Sequence, residues 1–331
     1  MEQYHDVTLD LKSAAAPCKI FGRCYRNNDG LVMLWPGNAI EFTAELGGEL
    51  VLRYKAEENG YLQVFVDGAP DNRARLTASG EMTELPLADI RPGQHTVRIV
   101  RENDLDPEGA VTVWQALCFR GIESSVKATE KKPLFIEYVG DSITAGKGVL
   151  SGDRYRRDDP NHSVTHAYSY LSAELLGADY CITARGGCGL IRRSAACPKT
   201  MGNMYDYVNP LSTKDDLVPY DFARKPDVIV YAIGGNDHVE GEEFDAAQKA
   251  MYALLRERNG KDVKIVVPYG MMSERHLKDY PRLAEECGAY SLRVPQNNDG
   301  GSFHENGTGH PGVEGQKRTA ELLAAFLKTI L

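Results

Sequence analysis

The chain has 331 residues, which is more than one hydrophobic core usually serves, so its length favours two domains. Its net charge of −9, without any cluster of lysine and arginine, argues against nucleic acid or an anionic membrane surface as a partner. No apolar run approaches the roughly 20 residues that cross a bilayer. A hydrophobic content of 42% and a charged content of 26% are typical of an ordinary globular protein.

The cysteines and the first residues bear on the compartment. Seven cysteines form an odd, scattered set without Cys-x-x-Cys spacing. The start of the chain is acidic and lacks the apolar stretch of a secretory signal. We therefore expect reduced thiols and a cytoplasmic protein. A secreted protein whose leader has been removed would show the same pattern.

Residues 1–128 have the pattern of an all-β domain. Short β-prone runs are separated by turn signals such as Gly47-Gly48 and Pro92-Gly93. The predicted strands are residues 39–43, 49–54, 61–66, 95–100 and 111–117. This spacing predicts a β-sandwich or jelly roll. The polar segment 121–133, which ends in proline, is the predicted linker.

Residues 129–331 follow a different pattern, in which apolar strands alternate with helices. The predicted strands are residues 134–139, 179–184, 227–233, 263–268 and 289–294, and the predicted helices are 166–176, 245–258, 281–287 and 312–330. This alternation predicts a flavodoxin-like α/β/α domain, with a parallel sheet between two helix layers. Residues 191–221 show no obvious regular structure, which in a compact domain often marks a functional segment.

Ligands bind such sheets at the carboxyl ends of the strands, so the loops that follow the strands are the informative ones. Gly140-Asp141-Ser142 ends the first strand, at a strand-to-helix turn that suits a nucleophilic serine. The alternative is an ordinary helix cap. Residues 185–190 hold three glycines, which expose backbone N–H groups to a ligand, or form a flexible turn.

Two further loops carry polar side chains. Asn236, in Gly234-Gly235-Asn236-Asp237, follows the third strand and can offer its amide to a developing oxyanion, although an Asn-Asp helix cap is the simpler alternative. His310 precedes the last helix and can reach a serine at the first strand. His162, His166 and His238 lie near these motifs, but their spacing does not indicate a metal site.

Taken together, these four motifs in this order resemble the SGNH (GDSL-type) hydrolase superfamily. The resemblance covers residues 134–331. The β domain makes the resemblance more specific. The chain resembles carbohydrate esterase family 2 in residues 37–42, 66–68 and 93–98 of this domain, and in residues 220–227 before the third strand. That resemblance implies a jelly roll joined to an SGNH hydrolase domain. It also implies the removal of O-acetyl groups from plant polysaccharides and their oligosaccharides.

The resemblance also implies residue roles. Ser142 is the expected nucleophile and His310 the general base. The expected oxyanion donors are the Ser142 N–H, the Gly187 N–H and the Asn236 side chain. The implied mechanism is two-step acyl transfer, which needs no metal and no organic cofactor.

One departure from the superfamily pattern concerns the histidine. The aspartate expected three residues before His310 is replaced by Gly307. We expect a Ser-His dyad in which the Thr308 carbonyl orients the imidazole. An acid elsewhere in the same loop, Asp299 or Glu305, is the second alternative, and lost activity is the third.

The expected substrate is an acetylated xylan- or mannan-type oligosaccharide. Tyr205 and Tyr207 could stack on sugar rings at the rim of the site, although such residues more often pack a loop onto the body. Two alternatives to the acetyl esterase are a lipid or thioester hydrolase on the same scaffold and an inactive carbohydrate-binding protein. The sequence leaves the oligomeric state open.

Overall fold

The computed structural model describes residues 3–104, 109–150, 159–191, 197–271, 276–295 and 310–331. The first sheet contains ten antiparallel strands. These strands are β1 (His5–Asp10), β2 (Lys19–Phe21), β3 (Cys24–Arg26), β4 (Leu31–Met33), β5 (Ala39–Ala56), β6 (Gly60–Val66), β7 (Ala69–Leu76), β8 (Thr83–Arg101), β9 (Thr112–Gly121) and β10 (Lys127–Ala128).

The strand order of this sheet is β3-β4-β9-β5-β8-β6-β7, with β1 paired to β9 and with β2 and β10 paired to β5. The sheet encloses one apolar core that includes Phe42, Leu62, Ile99 and Trp114. Such residues alternate with more exposed ones because successive side chains of a strand point to opposite faces. We call this part of the chain, up to Ala128, the β domain.

Two predicted turns in the β domain are wrong. Gly47-Gly48 lies inside β5, and Pro92-Gly93 lies inside β8, so these strands have 18 and 19 residues. The pairing of β5 with β8 shifts register between Leu46 and Gly48, which marks a β-bulge. A bulge bends a strand without ending it, so the strands continue through these glycines and the chain does not reverse there.

The second sheet belongs to the α/β domain. Its strands are β11 (Phe135–Gly140), β12 (Asp179–Ala184), β13 (Val228–Ala232), β14 (Lys264–Tyr269) and β15 (Tyr290–Arg293). The helices are α1 (Tyr168–Leu175), α2 (Met201–Met204), α3 (Glu242–Asn259), α4 (Asp279–Glu286) and α5 (Val313–Ile330), with 3-10 turns at Glu123–Ser125, Asp159–Asn161 and Val164–His166. Short helix α2 lies in the segment that was predicted to lack regular structure. None of the helices in the described ranges is long and apolar enough to cross a membrane.

All neighbouring strands of this sheet are parallel, in the order β12-β11-β13-β14-β15. This is the doubly wound order 2-1-3-4-5, whose ligand crevice lies at the ends of its first and third strands. One face of the sheet packs against α1 and α5, and the other packs against α3 and α4. The predicted three-layer architecture is therefore confirmed, and the crevice falls where Ser142 and Asn236 follow β11 and β13.

The two domains share their cores. Phe21 and Val100 of the β domain pack into the cluster that contains α1 and α5, and Trp35 packs into the cluster on the opposite face of the parallel sheet. A buried ion pair joins Arg23 of the β domain to Glu137 of β11, with 2.7 Å between Nη2 and Oε1. Side chains of the β domain therefore reach the interior of the α/β domain.

Candidate active site

Ser142 lies directly beyond the fully buried strand β11. The chain then makes hydrogen-bonded turns: the Ala145 N–H donates to the Asp141 carbonyl at 3.0 Å, and the Lys147 N–H donates to the Ser142 carbonyl at 2.8 Å. The expected helix does not form here, because Gly146 adopts a left-handed φ of 73° and redirects the chain. Among the residues that the structure describes in this domain, the first α-helix is α1. Ser142 is thus held on a tight turn at the edge of the sheet.

His310 lies just before α5 and faces the serine. Its Nε2 atom is 2.8 Å from the Ser142 hydroxyl oxygen. The two residues are only 8% and 7% exposed, so water has little access to this contact. The pair has the geometry that a base needs to take a proton from a nucleophile.

Gln316 connects the serine turn to the helix that follows the histidine. This buried residue of α5 donates from Nε2 to the Ile143 carbonyl at 3.1 Å, and its Oε1 accepts from the Tyr168 N–H at 2.8 Å. The position of α5 is therefore fixed relative to the turn that carries Ser142. Gln316 was not among the predicted site residues, although a glutamine on the apolar face of an amphipathic helix is a signal for a buried polar contact.

The glycine loop after β12 is a tight turn. The Cys188 N–H donates to the Arg185 carbonyl at 3.2 Å, and Gly187 has a φ of 75°. A positive φ at the third residue of a four-residue turn is typical of type II. Beyond the turn, the Asp237 carboxylate accepts from the N–H groups of Leu190 and Ile191 at 2.7 and 2.9 Å.

Asn236 ties the three loops together. Its Nδ2 donates to the Cys188 carbonyl at 2.9 Å and to the Asp141 carboxylate at 3.0 Å. These contacts place the side chain between the glycine loop and the residue that precedes Ser142. The helix-cap alternative for the Asn-Asp pair is not what the structure shows, since both side chains hold neighbouring loops instead.

Asp141 is a buried acid next to the serine. Its Oδ1 accepts from the Ile143 N–H at 3.1 Å. Burial raises the pKa of this carboxyl to about 7, and the negative charges of Asp104 and Asp237 add to the increase. The backbone N–H of Ile143 opposes it. Three carboxyl groups, those of Asp104, Asp141 and Asp237, therefore lie near one another in the site.

Residues 20–121 match the family model described as "Carbohydrate esterase 2 N-terminal". Two curated relatives from Cellvibrio japonicus (strain Ueda107), both named "Acetylxylan esterase / glucomannan deacetylase", are 30% identical over 238 residues and 27% identical over 231 residues. The alignments cover 70% and 67% of this chain, and 63% and 62% of the relatives. The chain therefore spans less than two thirds of their length.

Solved structures share the fold over nearly the whole chain. A family two carbohydrate esterase from Cellvibrio japonicus has a TM-score of 0.83 at 18% identity, covering 99% of this chain and 98% of that one. An acetyl xylan esterase from the rumen bacterium Butyrivibrio proteoclasticus has a TM-score of 0.82 at 19% identity, covering 99% of both chains. The chain resembles carbohydrate esterase family 2. The family resemblance and the two-domain fold predicted from the sequence are thereby confirmed.

The carbohydrate-esterase-2 resemblance does not decide what orients His310. Thr308, Asp299, Glu305 and Gly307 lie outside the residues that the structure describes. The three alternatives from the sequence therefore stay as predictions.

The rim prediction is wrong for Tyr205. Its side chain is fully buried, its hydroxyl donates to Glu137 at 2.7 Å, and the Arg23 guanidinium lies 4.5 Å from the ring centroid. A ring enclosed in this way packs the loop against the β domain and cannot stack on a sugar. Tyr207 is partly exposed, and its backbone pairs with Pro219.

Cys188 is a packing residue of the glycine loop. A hydrogen bond with Cys197, together with burial, raises the pKa of its thiol well above the ordinary value. The thiol therefore stays protonated at neutral pH and is a poor nucleophile. Across the described part of the chain, no three histidine, cysteine or acidic side chains are grouped to hold a metal ion.

Proposed function

We propose that this protein is a serine esterase that removes acetyl groups from the hydroxyls of xylan- or mannan-type oligosaccharides. The observation that carries the proposal is the 2.8 Å contact between Ser142 Oγ and His310 Nε2, at the crevice of a doubly wound sheet. The names of the two curated relatives support acetyl groups on xylan and glucomannan as the chemical class of substrate.

In the first step, Ser142 Oγ attacks the acetyl carbonyl carbon while His310 Nε2 takes the hydroxyl proton. The carbonyl oxygen becomes an oxyanion in the tetrahedral intermediate. The C–O bond to the sugar then breaks, and His310 returns its proton to the sugar oxygen. The products of this step are a free sugar hydroxyl and an acetyl group on Ser142.

The oxyanion would be held by the Ser142 N–H, the Gly187 N–H and the Asn236 amide. Asn236 now donates to Asp141 and to the Cys188 carbonyl, so an oxyanion takes the place of one of these acceptors. The Gly187 turn is held by its own hydrogen bond, so the rearrangement required is that Asn236 exchanges one of its two acceptors for the oxyanion. One preorganised donor of this kind typically contributes about 100- to 1,000-fold to the rate.

In the second step, His310 takes a proton from water, and the resulting hydroxide attacks the acetyl-serine. A second tetrahedral intermediate collapses with the Ser142 oxygen as the leaving group, and His310 returns the proton to it. Acetate leaves, and the serine hydroxyl is restored. Every proton movement uses His310 alone, so the chemistry needs only the serine, the histidine and the oxyanion donors.

The proposal is tested with p-nitrophenyl acetate and p-nitrophenyl octanoate, using the intact protein and Ser142→Ala. We expect faster hydrolysis of the acetyl ester and no turnover by the variant. Preference for the octanoyl ester would contradict the acetyl esterase and would favour a lipid hydrolase. Equal turnover by the intact protein and Ser142→Ala would exclude Ser142 as the nucleophile.

A second candidate is the binding of a glycan chain at the same site without turnover. It is favoured by a structural neighbour with a TM-score of 0.72 at 19% identity, described as a carbohydrate esterase whose active site "displays divergent catalytic and non-catalytic binding functions". Another neighbour, at 21% identity, was solved in complex with cellohexaose. Binding of cellohexaose to the intact protein should therefore be measured by isothermal titration calorimetry. Saturable binding supports this candidate, and no detectable binding contradicts it.

A further inference from the structure

The segment Arg101-Glu102-Asn103-Asp104, at the end of β8, belongs to the β domain and contacts the α/β domain. Arg101, the first residue of the segment, is held in place within the β domain. Arg101 is 2% exposed, and its guanidinium donates to the Leu34 carbonyl at 3.1 Å, to Thr112 Oγ1 at 3.3 Å and to the Asp104 carbonyl at 3.2 Å. A buried, multiply bonded arginine holds the backbone of this segment in one conformation.

The next residue attaches the segment to the α/β domain. The Glu102 carboxylate is fully buried and accepts from Ser163 Oγ at 2.9 Å and from the Thr165 N–H at 3.1 Å. Its carbonyl accepts from the Val164 N–H at 3.2 Å. The segment is thus fixed at both ends, and Asp104 is carried to a defined position.

Asp104 reaches the glycine loop. Its Oδ2 accepts from the Gly186 N–H at 2.8 Å, and the residue is 9% exposed. A Cβ atom at position 186 would lie only 2.6 Å from Oδ2 and 3.1 Å from Lys147 Nζ, so only glycine allows this approach. The contact is charge-assisted and buried, which makes it stronger than an ordinary hydrogen bond.

This contact acts on the turn that presents the Gly187 N–H. Gly186 and Gly187 are the two central residues of the turn from Arg185 to Cys188. Asn236 holds the Cys188 carbonyl and Asp237 holds the N–H groups beyond the turn, both from the α/β domain. Asp104 holds the other side of the turn, and it comes from the β domain.

We propose that Asp104 is a positioning residue for ester hydrolysis, and that the β domain completes the oxyanion hole through its contact with the Gly186 N–H. This proposal rests on the proposed function. Without the Asp104 carboxylate, the Gly186 N–H loses its acceptor from the β domain, and the turn that carries the Gly187 N–H is held less firmly. The loss should appear in kcat, because the donor acts mainly on charge that develops in the transition state.

The test compares Asp104→Ala, Asp104→Asn and the intact protein on p-nitrophenyl acetate, a substrate without a sugar. We expect Asp104→Ala to lower kcat by about 10- to 100-fold with KM changed by less than about threefold. Asp104→Asn keeps an oxygen acceptor for the Gly186 N–H and should recover most of that loss. The rate of inactivation by diethyl p-nitrophenyl phosphate, which also places an oxyanion in the hole, should follow the same order.

Glu174→Gln is the matched control. Glu174 is an acid at the same domain interface, with 2.6 Å between its Oε1 and Nη1 of Arg98 of the β domain, and no hydrogen bond or ion pair described for it reaches the glycine loop. We expect its kcat to equal that of the intact protein. A loss in this variant as large as that of Asp104→Ala would mean that any weakening of the interface lowers activity, which would overturn the positioning role.

Gly186→Ala keeps the proposal testable if Asp104→Ala does not fold. The new Cβ must displace the Asp104 carboxylate, so kcat should fall, and an unchanged kcat would contradict the proposal. Where Asp104→Ala does fold, adding it to Gly186→Ala should lower kcat little further. Fully additive losses would contradict the shared contact. If the intact protein is active and Asp104→Ala keeps its kcat, the positioning role fails while the proposed function stands. If the intact protein has no Ser142-dependent activity, the proposed function fails, and the role of Asp104 fails with it.

Discussion

Asp141→Asn tests the electrostatics of the site through the stability of the fold. Burial raises the pKa of Asp141 to about 7 in the folded protein. In the unfolded chain an aspartate titrates near pH ~3.9. The folded state therefore binds more protons than the unfolded state between these two values. The stability contributed by the neutral carboxyl is fully present below the unfolded pKa and is lost as the pH rises through the folded pKa.

The size of the effect follows from the difference between the two pKa values. About three units at 1.36 kcal/mol each correspond to about 4 kcal/mol of unfolding free energy. Asparagine does not titrate, so the variant lacks this dependence. The difference in unfolding free energy between Asp141→Asn and the intact protein should shift in favour of the variant by about 4 kcal/mol between pH 4 and pH 8.

The measurement is urea unfolding of both proteins at several pH values. Asp67→Asn is a control of opposite sign, because the Thr96 N–H and the His95 ring lower the pKa of Asp67, an exposed residue of the β domain. The stability that Asp67 contributes is fully present above the unfolded pKa and is lost as the pH falls through the lower folded pKa. This variant therefore loses relative stability as the pH rises only up to about pH 5, and its difference from the intact protein should be constant between about pH 5 and pH 8. The raised pKa would be refuted if the difference in unfolding free energy between Asp141→Asn and the intact protein did not change with pH. It would also be refuted if the variant became less stable relative to the intact protein as the pH rises.

The remaining predictions concern catalysis and the interface. Ser142→Ala and His310→Ala should each lower kcat for p-nitrophenyl acetate by about 10⁴-fold or more, because the pair acts as a unit. Alanine at Asp299 or Glu305 should change kcat little, and a loss above about 100-fold at either acid would replace the dyad with a triad. Tyr205→Phe removes the hydroxyl that is hydrogen-bonded to Glu137 and Asn259, so the free energy of unfolding should fall by about 1–3 kcal/mol. The KM for an acetylated xylo-oligosaccharide should not change. A raised KM with unchanged stability would show that Tyr205 contacts the substrate at the rim of the site.

The sequence predicted the elements whose signal is local. The apolar run that became β11 and the amphipathic pattern that became α5 need no distant partner to be recognised. The four loops at the sheet edge were found because parallel strands bring their carboxyl ends together. The Ser142–His310 contact joins residues 168 apart, yet the order of motifs along the chain was enough to suggest it.

The features that were missed depend on partners far away in the chain. The burial of Tyr205 is set by Arg23, which lies 182 residues earlier, and no local pattern reports that contact. Asp104 belongs to a charged stretch that resembles an ordinary loop, and its role emerges only where Gly186 approaches it. Gly47-Gly48 signals a turn or a bulge equally well, and the pairing of β5 with β8 decides which one forms.

The central claim, Ser142-dependent removal of acetyl groups from a glycan, is tested most directly by mass spectrometry of acetylated xylo- and manno-oligosaccharides before and after treatment with the intact protein or with Ser142→Ala. The mechanism predicts that the intact protein removes acetyl groups from at least one of the two series while Ser142→Ala leaves both unchanged. Unchanged acetylation in both series after treatment with the folded, intact protein would contradict it.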